Sequence, residues 1–230
     1  MQACPSLTPR LKAIADLVAP GARLADVGTD HGYLPVYLVK QGIIPFGIAA
    51  DINPQPLARA RETVMKYDAA GEVKVVLSDG FEDLPVGEAD TVVVAGMGGT
   101  LISEIMMRSQ EFAESVKTFI FQPMTAAEQL RMYLCQNKMR IVNEVIAKEG
   151  RKLYNILVAE HGEEAVEDEL HYYIGKKLIE NRPPHYDALL RREIQKYKTQ
   201  LRGLERSRSG GSAERYAQVE GLLAKMTKLL

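Results

Sequence analysis

Leu24-Ala25-Asp26-Val27-Gly28-Thr29-Asp30-His31-Gly32-Tyr33-Leu34-Pro35 decides how the chain reads: an apolar run stops at a glycine turn and restarts as a helix. Such a strand–loop–helix junction is expected to leave backbone N–H groups without partners at the loop and the helix start. In an open α/β sheet it also sets Asp26, Gly28, Asp30 and Gly32 near the carboxyl end of a first strand, which is where such sheets bind ligands.

The glycine spacing narrows the ligand. A dinucleotide fingerprint carries glycines at its first, third and sixth positions, the second of them so that a pyrophosphate can touch the backbone. Here those third and sixth positions hold Asp30 and Tyr33. A carboxylate there suits a cationic or hydroxyl-bearing ligand, and S-adenosylmethionine (SAM) offers an ammonium, a sulfonium and a ribose diol but no phosphate. A purely structural turn would use the same residues, so the loop alone does not decide.

Working outward, Leu7, Leu11, Ile14, Ala15 and Val18 have a helical period that Pro20-Gly21 ends, which predicts a leading helix before the first strand. Downstream, a helix is expected over 33–41 and a buried second strand over Phe46–Asp51, with Pro54 opening the next helix in the first turn, where proline is tolerated. Val73–Leu77, Ala89–Ala95 and Thr118–Met124 read as further strands, each followed by a turn or helix pattern. Arg140–Ile146 and Tyr154–Ala159 read as two adjacent strands joined by a hairpin-like connection. Strand–helix alternation closing on a strand pair predicts a doubly wound α/β sheet, Rossmann-like, with an antiparallel strand at one end.

From about Glu169 the strand signals stop. Tyr186, Leu190, Ile194, Tyr197, Leu201 and Leu204, then Tyr216, Val219, Leu223, Met226 and Leu230, keep helical spacing on either side of Ser207-Arg208-Ser209-Gly210-Gly211-Ser212. That pattern predicts an antiparallel helical hairpin, coiled-coil-like, and divides the chain into a body over 1–168 and a hairpin domain over 169–230.

The chain of 230 residues is 46% apolar and 26% charged with a net charge of −1, an ordinary globular balance. That balance conceals a split: residues 169–230 carry 13 Lys and Arg against 7 Asp and Glu, or +6, whereas residues 1–168 carry 16 against 23, or −7. A solvated helix surface would produce this, and so would a basic module that holds a nucleic acid. No run approaches the length of a membrane span and no signal-peptide pattern opens the chain, so a cytoplasmic protein is expected. Cys4 and Cys135 are too few for a disulfide framework or a zinc site, and both are expected to be buried or idle thiols. No His-x-x-x-His, cysteine pair or Ser/His/Asp grouping points to metal or acyl chemistry.

Asp51 and Asp79 close the second and third strands and join Asp26 and Asp30 on the proposed carboxyl edge. Each acid alone is an ordinary turn or helix cap. Taken together they are what an adenosine ligand requires: Asp51 to accept from the ribose hydroxyls and Asp79 from the adenine amine. Ala95-Gly96-Met97-Gly98-Gly99, after the fourth strand, lacks large polar side chains and would let a planar base lie against the backbone. Gly96 is placed on the cofactor side of that crevice, and Met97 and Gly98 on the substrate side. Gln122, at the end of the fifth strand, offers an amide on the same edge, and His31 is the one histidine beside it, with a catalytic or a packing role both open.

Asp26-Val27-Gly28-Thr29-Asp30-His31-Gly32-Tyr33-Leu34-Pro35, Ala95-Gly96-Met97-Gly98-Gly99 and Gln122-Pro123 together resemble the bacterial tRNA (adenine-22-N1)-methyltransferase family along nearly the whole chain. The resemblance implies a class I SAM-dependent methyltransferase fold, SAM as methyl donor, and N1 of an adenine in the tRNA D-arm region as acceptor. Carried over by motif, Asp26, Gly28 and Asp51 would bind SAM, Asp79 its adenine, and Asp30 would be the acid at the transfer centre, where the general methyltransferase pattern has a glycine. Independently of the resemblance, the charge split makes Arg191, Arg192, Lys196, Lys198, Arg202, Arg206 and Arg208 on the hairpin the expected phosphate contacts. A non-catalytic SAM- or RNA-binding protein, or a methyltransferase with another substrate, is the competing reading; retention of Asp30 argues for catalysis, and the oligomeric state stays open.

Overall fold

The computed structural model of the chain describes residues 4–206 and 212–230. Contacts divide it into two compact units, Met1–Ala165 and Val166–Leu230.

The first unit is built on one seven-stranded sheet. Its strands are β1 (Arg23–Val27), β2 (Phe46–Asp51), β3 (Val73–Leu77), β4 (Thr91–Gly98), β5 (Thr118–Thr125), β6 (Met139–Glu149) and β7 (Lys152–His161). They lie in the order β3-β2-β1-β4-β5-β7-β6, with β7 antiparallel to both of its neighbours and the other pairs parallel. The antiparallel strand is therefore second from the edge, not at the end as expected. The two-residue turn Gly150-Arg151, with Gly150 at φ +59°, folds β7 back between β5 and β6.

Both faces of the sheet are covered, which is why its central strands read as continuous apolar runs. Alternate residues serve opposite faces. Ala25, Val27, Val92, Val94, Phe119 and Phe121 pack on one side with α4 (Gly99–Arg108) and α6 (Ala127–Gln136). Leu24, Val93 and Ile120 pack on the other with α1 (Pro9–Ala15) and α2 (Tyr33–Lys40). The helix α3 (Pro54–Lys66) closes a smaller cluster over Ala49 and Val73, and α5 (Gln110–Ser115) is a short helix after α4 that sequence periodicity did not separate. Cys4 and Cys135 remain half-buried thiols.

Strand order reverses between β1 and β4. The loops after these two strands thus flank the crevice where an open sheet binds its ligand. Near that crevice the β4–β5 ladder breaks register at Ala95/Met97, with Gly96 as the extra residue at φ +81°. The Gly96–Gly98 stretch is accordingly a bulged continuation of β4. Gly99 then allows close packing: a Cβ there would stand 2.2 Å from the carbonyl oxygen of Ala126.

The second unit is helical: α7 (Leu170–Tyr173), α8 (Lys176–Asn181), α9 (Tyr186–Arg206) and α10 (Ser212–Thr227). The short α7 and α8, which sequence periodicity passed over, precede the hairpin proper. Tyr186, Leu190, Ile194 and Tyr197 of the expected stripe are buried, as are Val219 and Met226, whereas Leu230 is 53% exposed and falls off it. Two contacts fix the antiparallel sense. Tyr216 Oη, near the start of α10, donates to Glu205 near the end of α9 at 3.3 Å, while Arg182, just before α9, donates to the Leu229 carbonyl beyond α10 at 2.7 Å. Most of the expected connection, Ser207 to Gly211, lies outside the described residues. No helix among the described residues is long and apolar enough to cross a membrane.

Candidate active site

The Gly28–Gly32 loop is held by its own backbone and by β2. Gly28 N and Thr29 N both donate to the Ala50 carbonyl, at 2.8 and 3.0 Å, and Gly32 N donates to Thr29 Oγ1 at 3.1 Å. These amides are paired, so the expectation of open N–H groups fails for Gly28, Thr29 and Gly32: parallel pairing brings the end of β2 level with the loop, and the Thr29 hydroxyl serves as local acceptor. Gly28 adopts φ +80°, and a Cβ there would lie 2.2 Å from Met97 Cε. Met97 thus lies across the glycine and packs partly against the core, rather than standing free in the crevice.

Asp26 is buried at the end of β1, and its carboxyl is pushed up to about 6. Burial is the dominant cause and neighbouring Asp51 adds to it, while a hydrogen bond with Thr29 and the charge of Arg10 oppose it. Arg10, in the first turn of α1, was not among the residues singled out from sequence. Its Nη1 donates to Gln122 Oε1 at 2.6 Å and its guanidinium lies 5.6 Å from the centre of the Tyr154 ring. A cation in the first turn of a helix opposes the macrodipole. That misfit was the available signal that Arg10 has partners elsewhere.

Gln122 departs from expectation. It is fully buried, its Oε1 accepting from Arg10 and its Nε2 donating to the Pro123 carbonyl at 3.1 Å. Its amide is engaged in joining α1 to β5 instead of lining the crevice, because the residue falls on the covered part of the strand. Asp79 is also engaged. Arg108 of α4 forks onto both its carboxylate oxygens at 3.0 and 3.1 Å and reaches Glu82 at 3.5 Å. Carboxylate oxygens retain further lone pairs, so the pair constrains Asp79 without blocking it.

Asp51 ends β2 half-buried, with Oδ1 accepting from Asn53 N at 2.7 Å in a local turn. Asp30 behaves differently from the buried acids. Its side chain is 65% exposed, with Oδ2 at 3.3 Å from His31 Nε2 and Oδ1 at 3.4 Å from Arg59 Nη1. A cleft of about 230 Å³ opens between Arg10, Asp26, Gly28, Asp30, His31 and Ala95. One sheet edge therefore brings together Asp26, Gly28, Asp30 and His31, while Asp51, Asp79 and Gly96 sit at the ends of neighbouring strands.

In the second unit Arg191, Arg192, Lys196 and Lys198 are all exposed on α9. Arg192 and Lys196 both approach Glu193, at 2.9 and 3.6 Å, and Arg191 and Lys198 stand two turns apart on one face. Arg208, also expected to meet phosphate, lies outside the described residues.

The donor set suits a SAM-like ligand on the structure's own terms. A buried carboxylate beside an arginine matches an amino-acid ammonium and carboxylate, and Asp51 keeps a second oxygen for a diol. Comparison with known proteins agrees with that chemistry. Residues 7–157 match the model of the methyltransferase domain family. The tRNA (adenine(22)-N(1))-methyltransferase of Bacillus subtilis is 36% identical over 157 residues, which is 68% of this chain and 66% of that protein. A Mycoplasma genitalium relative is 31% identical over 207 residues, 85% of this chain and 92% of its own length. Among solved structures, the m1A22 tRNA methyltransferase of B. subtilis superposes with a TM-score of 0.88 at 26% identity, covering 97% of this chain and 98% of that one. An M. capricolum homologue of that enzyme, solved with the cofactor product S-adenosyl-homocysteine, gives 0.81 at 26% identity, with 96% of each chain covered. This chain is a SAM-dependent methyltransferase with a Rossmann-like fold, and it belongs to the bacterial tRNA (adenine-22-N1)-methyltransferase family.

Proposed function

We propose that this chain methylates N1 of adenine 22 in tRNA, with Asp30 at the transfer centre. The observation that carries the reading is the contrast at the end of β1: Asp26 is buried against Arg10, while Asp30, four residues on, projects exposed from the same cleft.

SAM, when bound, supplies a methyl group already activated on a sulfonium. Around it Asp26, Gly28, Asp51, Asp79 and Gly96 form the cofactor side, Asp51 toward the ribose and Asp79 toward the adenine. Adenine N1 has a neutral lone pair at pH 7, so the protein has to position the base in line rather than remove a proton. Positive charge then develops on the base, and Asp30 stabilises it or accepts from the N6 amine. His31, Met97 and Gly98 border the substrate side. Gln122 acts through Arg10, which it holds in place. Because N1 lies on the Watson–Crick edge, the target base has to leave its pair, which costs a few kcal/mol.

The acidic body has little to attract RNA, so the basic hairpin is assigned the phosphate contacts through Arg191, Arg192, Lys196 and Lys198. A cytoplasmic location accompanies a tRNA substrate. The deciding experiment is nucleoside mass spectrometry of unmodified tRNA incubated with the protein and SAM. N1-methyladenosine at position 22 supports the reading, and an unmethylated tRNA or a methyl group on another base refutes it.

A further inference from the structure

A second cleft, of about 500 Å³, adjoins the active site on the α3 side and has no role in the reaction as described. Its wall toward the active site is the His31–Tyr33 pair, whose rings stack with centroids 4.9 Å apart and planes 7° from parallel. Both residues also line the smaller cleft, so the two spaces meet at these rings with Asp30 beside them. Tyr67 lines the far side, with Lys66 Nζ 5.3 Å from its ring centre. Arg59 also lines the cleft, within 3.4 Å of Asp30, and Glu62 is the acid on the same helix.

We propose that this cleft is a subsite for one unstacked nucleotide of the RNA, a neighbour of the methylated adenine. The proposal rests on the tRNA-methylation reading above. Extruding a base from an RNA strand removes a stacking partner from its neighbours. Proteins that hold unstacked strands replace that partner with aromatic rings and meet the backbone with cations. Both groups are present here: an exposed Tyr33 ring already aligned with His31, and Lys66 and Arg59 on the lining of the same cleft. The volume falls in the range of about 300–1,000 Å³ usual for small-ligand sites. The methylated base itself is not the occupant, because Asp26, Gly28 and Asp30 line the smaller cleft and not this one.

The test is an affinity cycle on the full chain with S-adenosyl-homocysteine present, using intact tRNA and tRNAs made abasic on either side of adenine 22. For the wild-type protein one of the two abasic tRNAs should bind about tenfold more weakly, within the range of base–aromatic stacking. Tyr33→Leu should weaken intact tRNA by a similar factor, and the abasic change should then cost less than twofold further. Tyr67→Leu with Lys66→Gln, remote from Asp30, should show the same coupling in affinity while methyl transfer at saturating tRNA stays within twofold. Independent, multiplying losses, or wild-type affinity indifferent to both abasic sites, would overturn the subsite. A coupled cycle in a protein that makes no N1-methyladenosine would instead overturn the methylation reading and leave the subsite standing.

Discussion

The carboxyl edge of the sheet and the face of helix α9 both carry the charges assigned to function, but they carry them differently. At the sheet edge, Asp26 is buried, Asp51 is tied into a turn by Asn53 N, and Asp79 is forked by Arg108. Each acid has one position and one set of neighbours. On α9 the cations are exposed on long side chains, and two of them share Glu193. A fixed group in a low-dielectric site has large, specific effects when changed, whereas exposed charges act additively and are screened by salt. The edge should therefore fail at single residues and the hairpin only by degrees.

The largest effect is expected at Asp30, the most exposed acid of the edge. Asp30→Asn should lower single-turnover methylation by about 100-fold, ~2.7 kcal/mol of barrier, with SAM affinity within threefold of wild type. A rate within threefold, under ~0.7 kcal/mol, would show that Asp30 is not a catalytic residue and that the edge is a cofactor platform only.

Asp26 sharpens the contrast through pH. Its folded pKa of about 6 lies above the unfolded value of 3.8. Between these the folded chain holds a proton that the unfolded chain has released, so stability falls as pH rises across the window and is lowest above it. The fall is about 1.4 kcal/mol per unit, or ~3 kcal/mol in all. In denaturant titrations without ligand, Asp26→Asn should remove this component, so that the variant gains on wild type between pH 4 and pH 6.5. Parallel stability curves over that range would mean that Asp26 is solvated.

Asp51→Ala should weaken SAM by about tenfold to 100-fold in calorimetry, the loss of a hydrogen bond to a charged group at roughly 1.5–3 kcal/mol. Unchanged affinity in a folded variant would remove Asp51 from the cofactor side.

The smallest effects per residue belong to the hairpin. Arg191→Gln and Lys198→Gln together should weaken tRNA binding by a few fold at moderate salt and flatten the dependence of log affinity on log salt by about 0.7–0.9 for each lost contact. SAM affinity should not move. An unchanged slope would assign the exposed cations of α9 to solvation, and the distinction between the two regions would then lie in function as well as in strength.

Much of this molecule is written in local pattern. Apolar runs at 46–51 and 73–77 are strands with those same bounds, Pro54 opens α3, and the 4-and-3 spacing from Tyr186 marks the buried face of α9. These follow from side-chain periodicity and proline geometry, which need no knowledge of distant residues. The acids at the strand ends were legible for the same reason: their position after an apolar run places them at the carboxyl edge once the sheet is parallel. Tertiary structure alone decided what those groups touch. Arg10 meets Gln122 across 112 positions of sequence and Arg108 meets Asp79 across 29. β7 enters between β5 and β6, and the stacked His31–Tyr33 pair divides two clefts, each walled by three separate stretches of chain. Burial, pairing and the pKa of Asp26 depend on what packs around a residue, and a one-dimensional pattern specifies which face is covered but not by whom.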